Sequence, residues 1–338
     1  MRKNLSRRRI MNPLANENDM IFFSCDWGTS AFRLRLIESS AGNTRILAEI
    51  KTGQGIAASY KLWKETNGRD AERIAVYQSY LFERIQQIAK QVDRGHVNIP
   101  VVLSGMASSS IGMQELPYKQ LPFLADGSDL LVKIIPSVVA GLSSKLVMIS
   151  GVSSGSDVMR GEETILVGCD IQTTDSEELF ILPGTHSKHV RTNNGQVHLV
   201  STYMTGELFS LLAEHSVLAG SVQQNSFEEK YAESFAAGVN EGRTANLLNS
   251  IFQVRVNNLF DKLSKEENYY YLSGLLIGHE LKDIAVKPVP VTIVGSGELQ
   301  KLYRKALHVL GLNDQMQYKD ADEALIRGQL KILALESK

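Results

Sequence analysis

The sequence lacks the residues that staple a fold or cage a metal. Its 338 residues include two cysteines, Cys25 and Cys169, far apart and in no C-x-x-C pair. A disulfide framework is excluded, no zinc cluster is suggested, and a reduced, cytoplasmic setting is the expectation. The seven histidines form no i, i+4 pair with an acidic partner, so no metal is assigned to them. Charge of one sign is also missing: Lys+Arg 36 against Asp+Glu 37 leaves a formal charge of -1. That balance argues for neither nucleic acid nor membrane as partner. No apolar run is long enough to span a bilayer. The P-loop pattern G-x-x-x-x-G-K-[ST] is absent throughout. Arg2, Lys3, Arg7, Arg8 and Arg9 are followed by Asn12, Asn16, Glu17, Asn18 and Asp19 rather than by an apolar stretch. Residues 1–19 therefore read as a disordered basic tail and not as an export signal, with nucleic-acid contact as the alternative.

What remains is ordinary globular material, 43% hydrophobic and 22% charged, in a chain long enough for two domains. Met20 to Cys25 reads as a buried strand, Asp26 to Ser30 as a turn, and Phe32, Leu34 and Leu36 alternate with arginines as a second strand. A third strand is expected over 44–50, a covering helix over 71–92, and further strands over 99–103 and 145–149. After residue 150 the order restarts. Leu179 to Leu182 is a strand, Pro183 to His186 a turn, and residues 188–192 and 196–203 are strands joined by Asn193-Asn194-Gly195. Helices follow over 269–282, 298–310 and 321–336, with a strand over 289–294. The two halves share a strand–turn–strand–strand opening, and each first turn carries Gly-Thr. We expect an N-terminal domain over 20–150 and a C-terminal domain over 151–338.

Several local patterns can carry chemistry, and each has a bland counterpart. Asp26 ends a buried strand and can hold Mg²⁺, while Gly28, Thr29 and Ser30 offer backbone N–H groups and hydroxyls to phosphate; an acid capping a tight turn is the plainer reading. Gly184, Thr185, His186 and Lys188 can supply a second set of donors and a cation, though a lysine on a strand is commonly just solvated. Gly295 and Gly297 form a strand–turn–helix junction suited to a nucleotide, or simply a tight turn. Arg160 and Glu162 precede an apolar segment where a phosphotransferase needs a base, with Glu163 and Asp157 as alternatives and a helix-dipole role as the plain reading. Gly105, Ser109, Ser110 and Met113 lie in a hydroxyl-rich loop that can meet a polyol or serve as a flexible connection. Thr205 and Glu207 stand at another strand-to-helix junction and are expected among the substrate contacts, with Thr205 as N-cap.

Taken together the letters resemble 2-dehydro-3-deoxygalactonokinases of the actin-like sugar kinase superfamily. The resemblance rests on Asp26-Trp-Gly-Thr29, Ser104-Gly-Met106 with Pro117-Tyr118, Val158-Met-Arg-Gly-Glu-Glu-Thr164 and Pro183-Gly-Thr-His186. It continues through Met204-Thr-Gly-Glu-Leu208, His215-Ser216, Leu272 to Gly278, and Ala324 to Gly328, in family order from residue 20 to 330. It implies an α/β fold of two ribonuclease H-like domains with an interdomain cleft. It also implies transfer from ATP·Mg²⁺ to the terminal hydroxyl of 2-dehydro-3-deoxy-D-galactonate, in galactonate breakdown. By position, Glu162 or Glu163 corresponds to the acidic residue of the superfamily. Ser108, Met113 and His189 depart from the family pattern, and a flexible Met113 at the substrate would widen the range of acids accepted. The alternatives are a same-fold kinase for 2-dehydro-3-deoxygluconate or a pentulose, and a non-enzymatic actin-like nucleotide switch. Oligomeric state is left open, with a homodimer compatible.

Overall fold

A computed structural model describes residues 20–40, 43–65, 69–92, 98–139, 142–284, 289–312 and 316–337; the basic tail 1–19 lies outside them. The chain divides into two compact units, Met1–Glu115 with Lys133–Met148, and Leu116–Val132 with Ile149–Lys338.

In chain order the first unit contains β1 (Met20–Trp27), β2 (Phe32–Ser40), β3 (Asn43–Thr52), α1 (Ile56–Glu65), α2 (Asp70–Val92) and β4 (Val101–Gly105). The short strands β5 (Lys119–Gln120) and β6 (Phe123–Leu124) belong to the second unit, and β7 (Val132–Val139) and β8 (Leu142–Ile149) return to the first. The first sheet runs β3-β2-β1-β4-β8-β7. β1, β2 and β3 are an antiparallel meander, whereas β4 lies parallel to β1 and β8 parallel to β4. α2 buries Tyr77, Leu81, Ile85 and Ile88, the helical-spacing face expected from sequence. Trp27, fully buried, meets Phe32 edge-on at 5.0 Å and Tyr80 at 5.7 Å. This aromatic plug fixes the foot of the turn that follows β1.

The second unit continues with β9 (Val152–Ser153), β10 (Val158–Met159), α3 (Glu162–Gly168), β11 (Glu178–Leu182), β12 (Ser187–Asn193) and β13 (Gln196–Tyr203). α4 (Thr205–His215), α5 (Ala232–Thr244), α6 (Leu247–Leu259) and α7 (Lys265–Leu281) come next, then β14 (Val291–Gly295), α8 (Gly297–Val309), β15 (Met316–Asp320) and α9 (Ala321–Leu335). Its sheet runs β15-β14-β11-β12-β13-β6. Again the first three long strands are antiparallel, and two more join in parallel on the far side of the first. The same topology therefore occurs twice, and each unit is ribonuclease H-like.

Three helices, α1, α5 and α6, and the edge strands β7 and β15 were not legible in the sequence pattern. α7 begins at Lys265, four residues before its expected start, because Ser264 and Glu267 form a reciprocal capping box. α5 and α7 approach closely enough to need glycine on both sides. A β-carbon at Gly274 would lie 2.2 Å from the Phe235 carbonyl oxygen, and one at Gly242 would lie 2.1 Å from that of Leu275. This contact explains the glycines of the Leu272–Gly278 stretch as packing rather than chemistry. Gly274→Ala should destabilise the protein by roughly 1–3 kcal/mol, the usual cost of overpacking. Gly220→Ala, at a position with open space around it, should leave the melting temperature unchanged. Equal melting of wild type and Gly274→Ala would show that the helices can part without loss.

Candidate functional site

Each Gly-Thr turn is seated on the start of a helix by the same device. In the first unit Gly28 N donates to the Ala31 carbonyl at 2.9 Å, closing the turn. The carbonyls of Gly28 and Thr29 accept from the first amides of α1, Ile56 N at 2.9 Å and Ala57 N at 3.1 Å. A β-carbon on Gly55 would sit 2.4 Å from the Thr29 carbonyl oxygen, so glycine is required at that approach. In the second unit Glu207 N donates to the Thr185 carbonyl at 3.0 Å, and a β-carbon on Gly206 would sit 2.5 Å from the Gly184 carbonyl oxygen. The carbonyls of Gly28, Thr29 and Thr185 are thus directed at a helix start, which removes acceptors from where an anion would lie.

The first half-site also carries an acid. Asp26, half-buried, is the penultimate residue of β1 and lies opposite Ser104 of β4, with Gly105 one register position on. Gly105 has φ +82°, and a β-carbon there would meet the Trp27 carbonyl oxygen at 2.9 Å and Asp26 Oδ1 at 3.5 Å. Thr29 and Ser30 are exposed. The loop after β4 is not a flexible connection. Arg73 of α2 donates to the carbonyls of Gly112 at 2.8 Å and Ser110 at 2.5 Å, and Tyr77 Oη donates to that of Ile111 at 2.6 Å. Two substrate expectations are corrected here. Met113 is fully buried, packing beneath the loop, and Ser109 is buried with its hydroxyl donating to the Met106 carbonyl at 2.8 Å. Ser110 alone of the loop serines is exposed. With Met113 out of reach, the structural reason for a widened substrate range disappears.

In the second half-site three separately read signals converge. A cavity of about 230 Å³ is bordered by Gly184 of the turn, by Thr205 and Gly206 at the α4 start, and by Glu298, Leu299 and Leu302 just after Gly297. Phe209, Tyr269, Ser273, Leu276, Ile277 and Tyr303 complete its largely apolar wall, which no motif in the sequence had signalled. β11 and β14 are parallel neighbours, so the turn after each opens at the same sheet edge, with Gly295 beside Pro183. Gly297, with φ +65°, gives the bend into α8. Thr205 is not an N-cap: Met204 occupies that position, and the Thr205 hydroxyl donates instead to Glu280. His186 Nε2 lies 2.5 Å from Glu207 Oε2. Lys188 is only 6% exposed, not solvated, and forms no ion pair among the described residues.

The two adjacent glutamates at the start of α3 have different surroundings. Glu162 is half-buried, its Oε2 accepting from Arg160 N at 2.8 Å, and the Arg160 guanidinium lies over the Tyr118 ring at 4.3 Å. Glu163 is fully buried and accepts from Gly161 N at 2.7 Å and Thr164 Oγ1 at 3.0 Å. Asp157 is committed to Thr202, whose N–H and hydroxyl donate at 2.7 and 2.6 Å. Burial, with the Glu162 charge adding to it, pushes the Glu163 carboxyl up to about 8, against the hydrogen bonds it accepts.

Twofold ribonuclease H-like topology with a Gly-Thr turn in each half defines an actin-like sugar kinase fold. The profile of 2-keto-3-deoxy-galactonokinases matches residues 26–332. A Rhizobium meliloti protein bearing the name 2-dehydro-3-deoxygalactonokinase is 31% identical over 312 residues, 91% of this chain and 94% of its own. The Escherichia coli 2-dehydro-3-deoxygalactonokinase is 32% identical over 222 residues, 63% of this chain and 71% of its own. A Sinorhizobium meliloti crystal structure bearing the same enzyme name superimposes with a TM-score of 0.75 at 30% identity, covering 93% of this chain and 95% of that one. The chain belongs to the 2-keto-3-deoxy-galactonokinase family, and it is a kinase. The nucleotide-switch alternative falls with that finding. Among the described residues no helix is long and apolar enough to cross a membrane.

Folded Glu163 keeps its proton up to about pH 8, whereas an unfolded glutamate loses it near 4.5. The folded state therefore holds an extra proton between those values, and stability from this group falls as pH rises through the interval. Glu163→Gln should flatten that decline, so its melting temperature gains on wild type toward the alkaline end. Parallel melting curves of the two proteins across the interval would contradict the buried, protonated assignment.

Proposed function

We propose that this protein transfers the terminal phosphoryl group of ATP to the 6-hydroxyl of 2-dehydro-3-deoxy-D-galactonate, in the cytoplasm, with Mg²⁺. The observation that carries the reading is a family match that runs through both half-sites, residues 26–332. The convergence of three signals on one cavity in the second unit supports it.

The residues present fit magnesium. Among the described residues there is no cluster of three or more His, Cys, Asp and Glu side chains that could form an all-protein cage. Mg²⁺ in phosphotransferases keeps waters and phosphate oxygens and takes one or two carboxylates from protein, which one acid beside a phosphate turn provides. Asp26 would hold it, and its matching position in the second unit, at the end of β11, is Leu182 followed by Pro183. When bound, the ion neutralises charge on the β- and γ-phosphates.

Protein groups then do the positioning. The cavity takes the nucleoside. Gly28, Thr29, Ser30, Gly184 and Thr185 bind phosphate oxygens through backbone N–H groups and hydroxyls. His186, oriented by Glu207, sits on the second turn. Lys188, buried with no carboxylate partner among the described residues, is a side chain whose burial an anionic ligand would offset. Glu162 accepts the proton of the attacking hydroxyl, because Glu163 is sealed in the core and Asp157 is bound to Thr202. Arg160, carried on the Tyr118 ring, orients the substrate carboxylate. Ser110, exposed on the first-domain loop, meets the sugar acid, whereas Gly105 is buried against Trp27 and serves the bend into that loop.

Purified protein should consume ATP only when Mg²⁺ and the sugar acid are both present. Turnover with no acceptor, or none with any sugar acid, would overturn the assignment. Asp26→Asn should lose orders of magnitude in turnover while still folding; undiminished turnover at saturating Mg²⁺ would reduce Asp26 to a turn residue. Glu162→Gln should lower kcat by roughly 10²–10⁴-fold, the usual worth of general base catalysis, with ATP binding retained. A larger loss in a folded Glu163→Gln variant would move the base by one residue.

A further inference from the structure

Behind the second Gly-Thr turn lies a buried carboxylate for which phosphoryl transfer itself has no use. Glu280, near the C-terminal end of α7, is 4% exposed. Its Oε1 accepts from Ser187 Oγ and His189 Nε2, each at 2.8 Å. Its Oε2 accepts from Tyr303 Oη at 2.6 Å and from the Thr205 hydroxyl. Tyr303 Oη also reaches Ser187 Oγ at 3.3 Å. Four donors are about the full complement an ionised carboxylate can accept. A buried carboxyl group satisfied this completely holds its donors in place, because losing any one leaves a polar atom orphaned in a low-dielectric interior.

The donors come from three elements, of which α4 and α8 border the proposed nucleotide cavity and β12 leads out of the Gly184-Thr185 turn that also borders it. Ser187 and His189 lie on β12, the strand that leaves the Gly184-Thr185 turn. Thr205 opens α4, the helix on which that turn rests, and Tyr303 lies on α8, which begins at Gly297. Thr205 and Tyr303 line the cavity themselves; Glu280 does not. Beside this carboxylate, the turn and the α4 start are joined by the Glu207 N to Thr185 O bond, the close Gly206 approach and the half-exposed His186–Glu207 pair.

We propose that Glu280 is a positioning residue of the nucleotide subsite: it sets the spacing among the Gly184–His186 turn, the α4 start and α8, and so governs affinity for ATP. The proposal rests on reading the cavity as the nucleoside site. A carboxylate that merely supported the core would change melting behaviour and leave both Michaelis constants alone. One that positions the subsite changes the constant for ATP and leaves that for the sugar acid alone, because Thr205 and Tyr303 of this network border the cavity read as the nucleoside site.

The test uses the full-length enzyme, with kinetics in ATP and in sugar acid measured separately. Calorimetric binding of a non-hydrolysable ATP analogue and thermal melting accompany them. Glu280→Ala should raise the KM for ATP and the analogue Kd by about tenfold or more, the scale expected when charge-assisted hydrogen bonds are lost. The KM for sugar acid should stay within about twofold on the same scale. Glu280→Gln, which keeps one acceptor oxygen in the same shape, should recover part of the affinity. A folded Glu280→Ala enzyme with unchanged analogue Kd and ATP KM overturns the proposal, whatever its melting temperature. If Glu280→Ala does not fold, Tyr303→Phe removes one donor and keeps the ring; it should weaken analogue binding, and unchanged binding overturns the proposal. Ser273→Phe, placed to fill the cavity, separates the two readings. Analogue binding that survives Ser273→Phe overturns the nucleoside cavity and the proposal with it. Binding lost in Ser273→Phe but intact in Glu280→Ala leaves the cavity standing and refutes the positioning role.

Discussion

The constraint on which both halves depend is the approach of a turn carbonyl to the first residues of a helix, at a distance only glycine permits. Gly55 under Thr29 and Gly206 under Gly184 are the two instances. In the first, two helix amides bind the turn's carbonyls, and in the second the Glu207 amide binds that of Thr185, which fixes each turn's orientation. A phosphate turn works by presenting N–H dipoles with no carbonyl in the way. Directing the carbonyls at a helix start achieves this with backbone atoms alone, so the turn's own side chains can differ between halves. That freedom has been used: the first turn has an acid before its glycine and the second a proline, a histidine and a buried lysine.

The rest of each unit can be understood as support for this seat. In the first, Trp27 with Phe32 and Tyr80 packs beneath the turn, while Arg73 and Tyr77 of α2 hold the following loop by its carbonyls. In the second, reciprocal glycines bring α7 against α5, and α7 carries both Glu280 and part of the cavity wall. Packing and polar networks thus meet at the same elements. The two α3 glutamates show the same economy: neighbours in sequence, one reaches back to the Arg160 amide and the other is sealed beneath.

How much of this was legible in the sequence follows from which interactions leave a local trace. The long strands and α2 were readable because burial on one or both faces imposes a period of two or 3.6. The repeat was readable because turn chemistry recurs, Gly28-Thr29 and Gly184-Thr185. α1, α5 and α6 were missed because short helices with mixed faces, and glycines required by a neighbouring helix, blur that period. The interleaving of residues 116–132 with the second unit was invisible, since two-residue strands such as Lys119–Gln120 have no pattern of their own. At the site, Asp26 and the glycine turns stand out by type and spacing. Glu280 does not, because its four partners are scattered from Ser187 to Tyr303 and only the fold collects them. Ser109 and Met113 misled for the opposite reason: their chemistry suits a ligand, but the loop turns one back on itself and buries the other.

Hydrogen exchange with mass spectrometry tests most directly the proposal that each Gly-Thr turn binds nucleotide phosphate. The account predicts that a non-hydrolysable ATP analogue with Mg²⁺ slows exchange of backbone amides in both turns, at Gly28–Ser30 and at Gly184–His186. Protection confined to one turn, or found elsewhere with both turns unchanged, would contradict it.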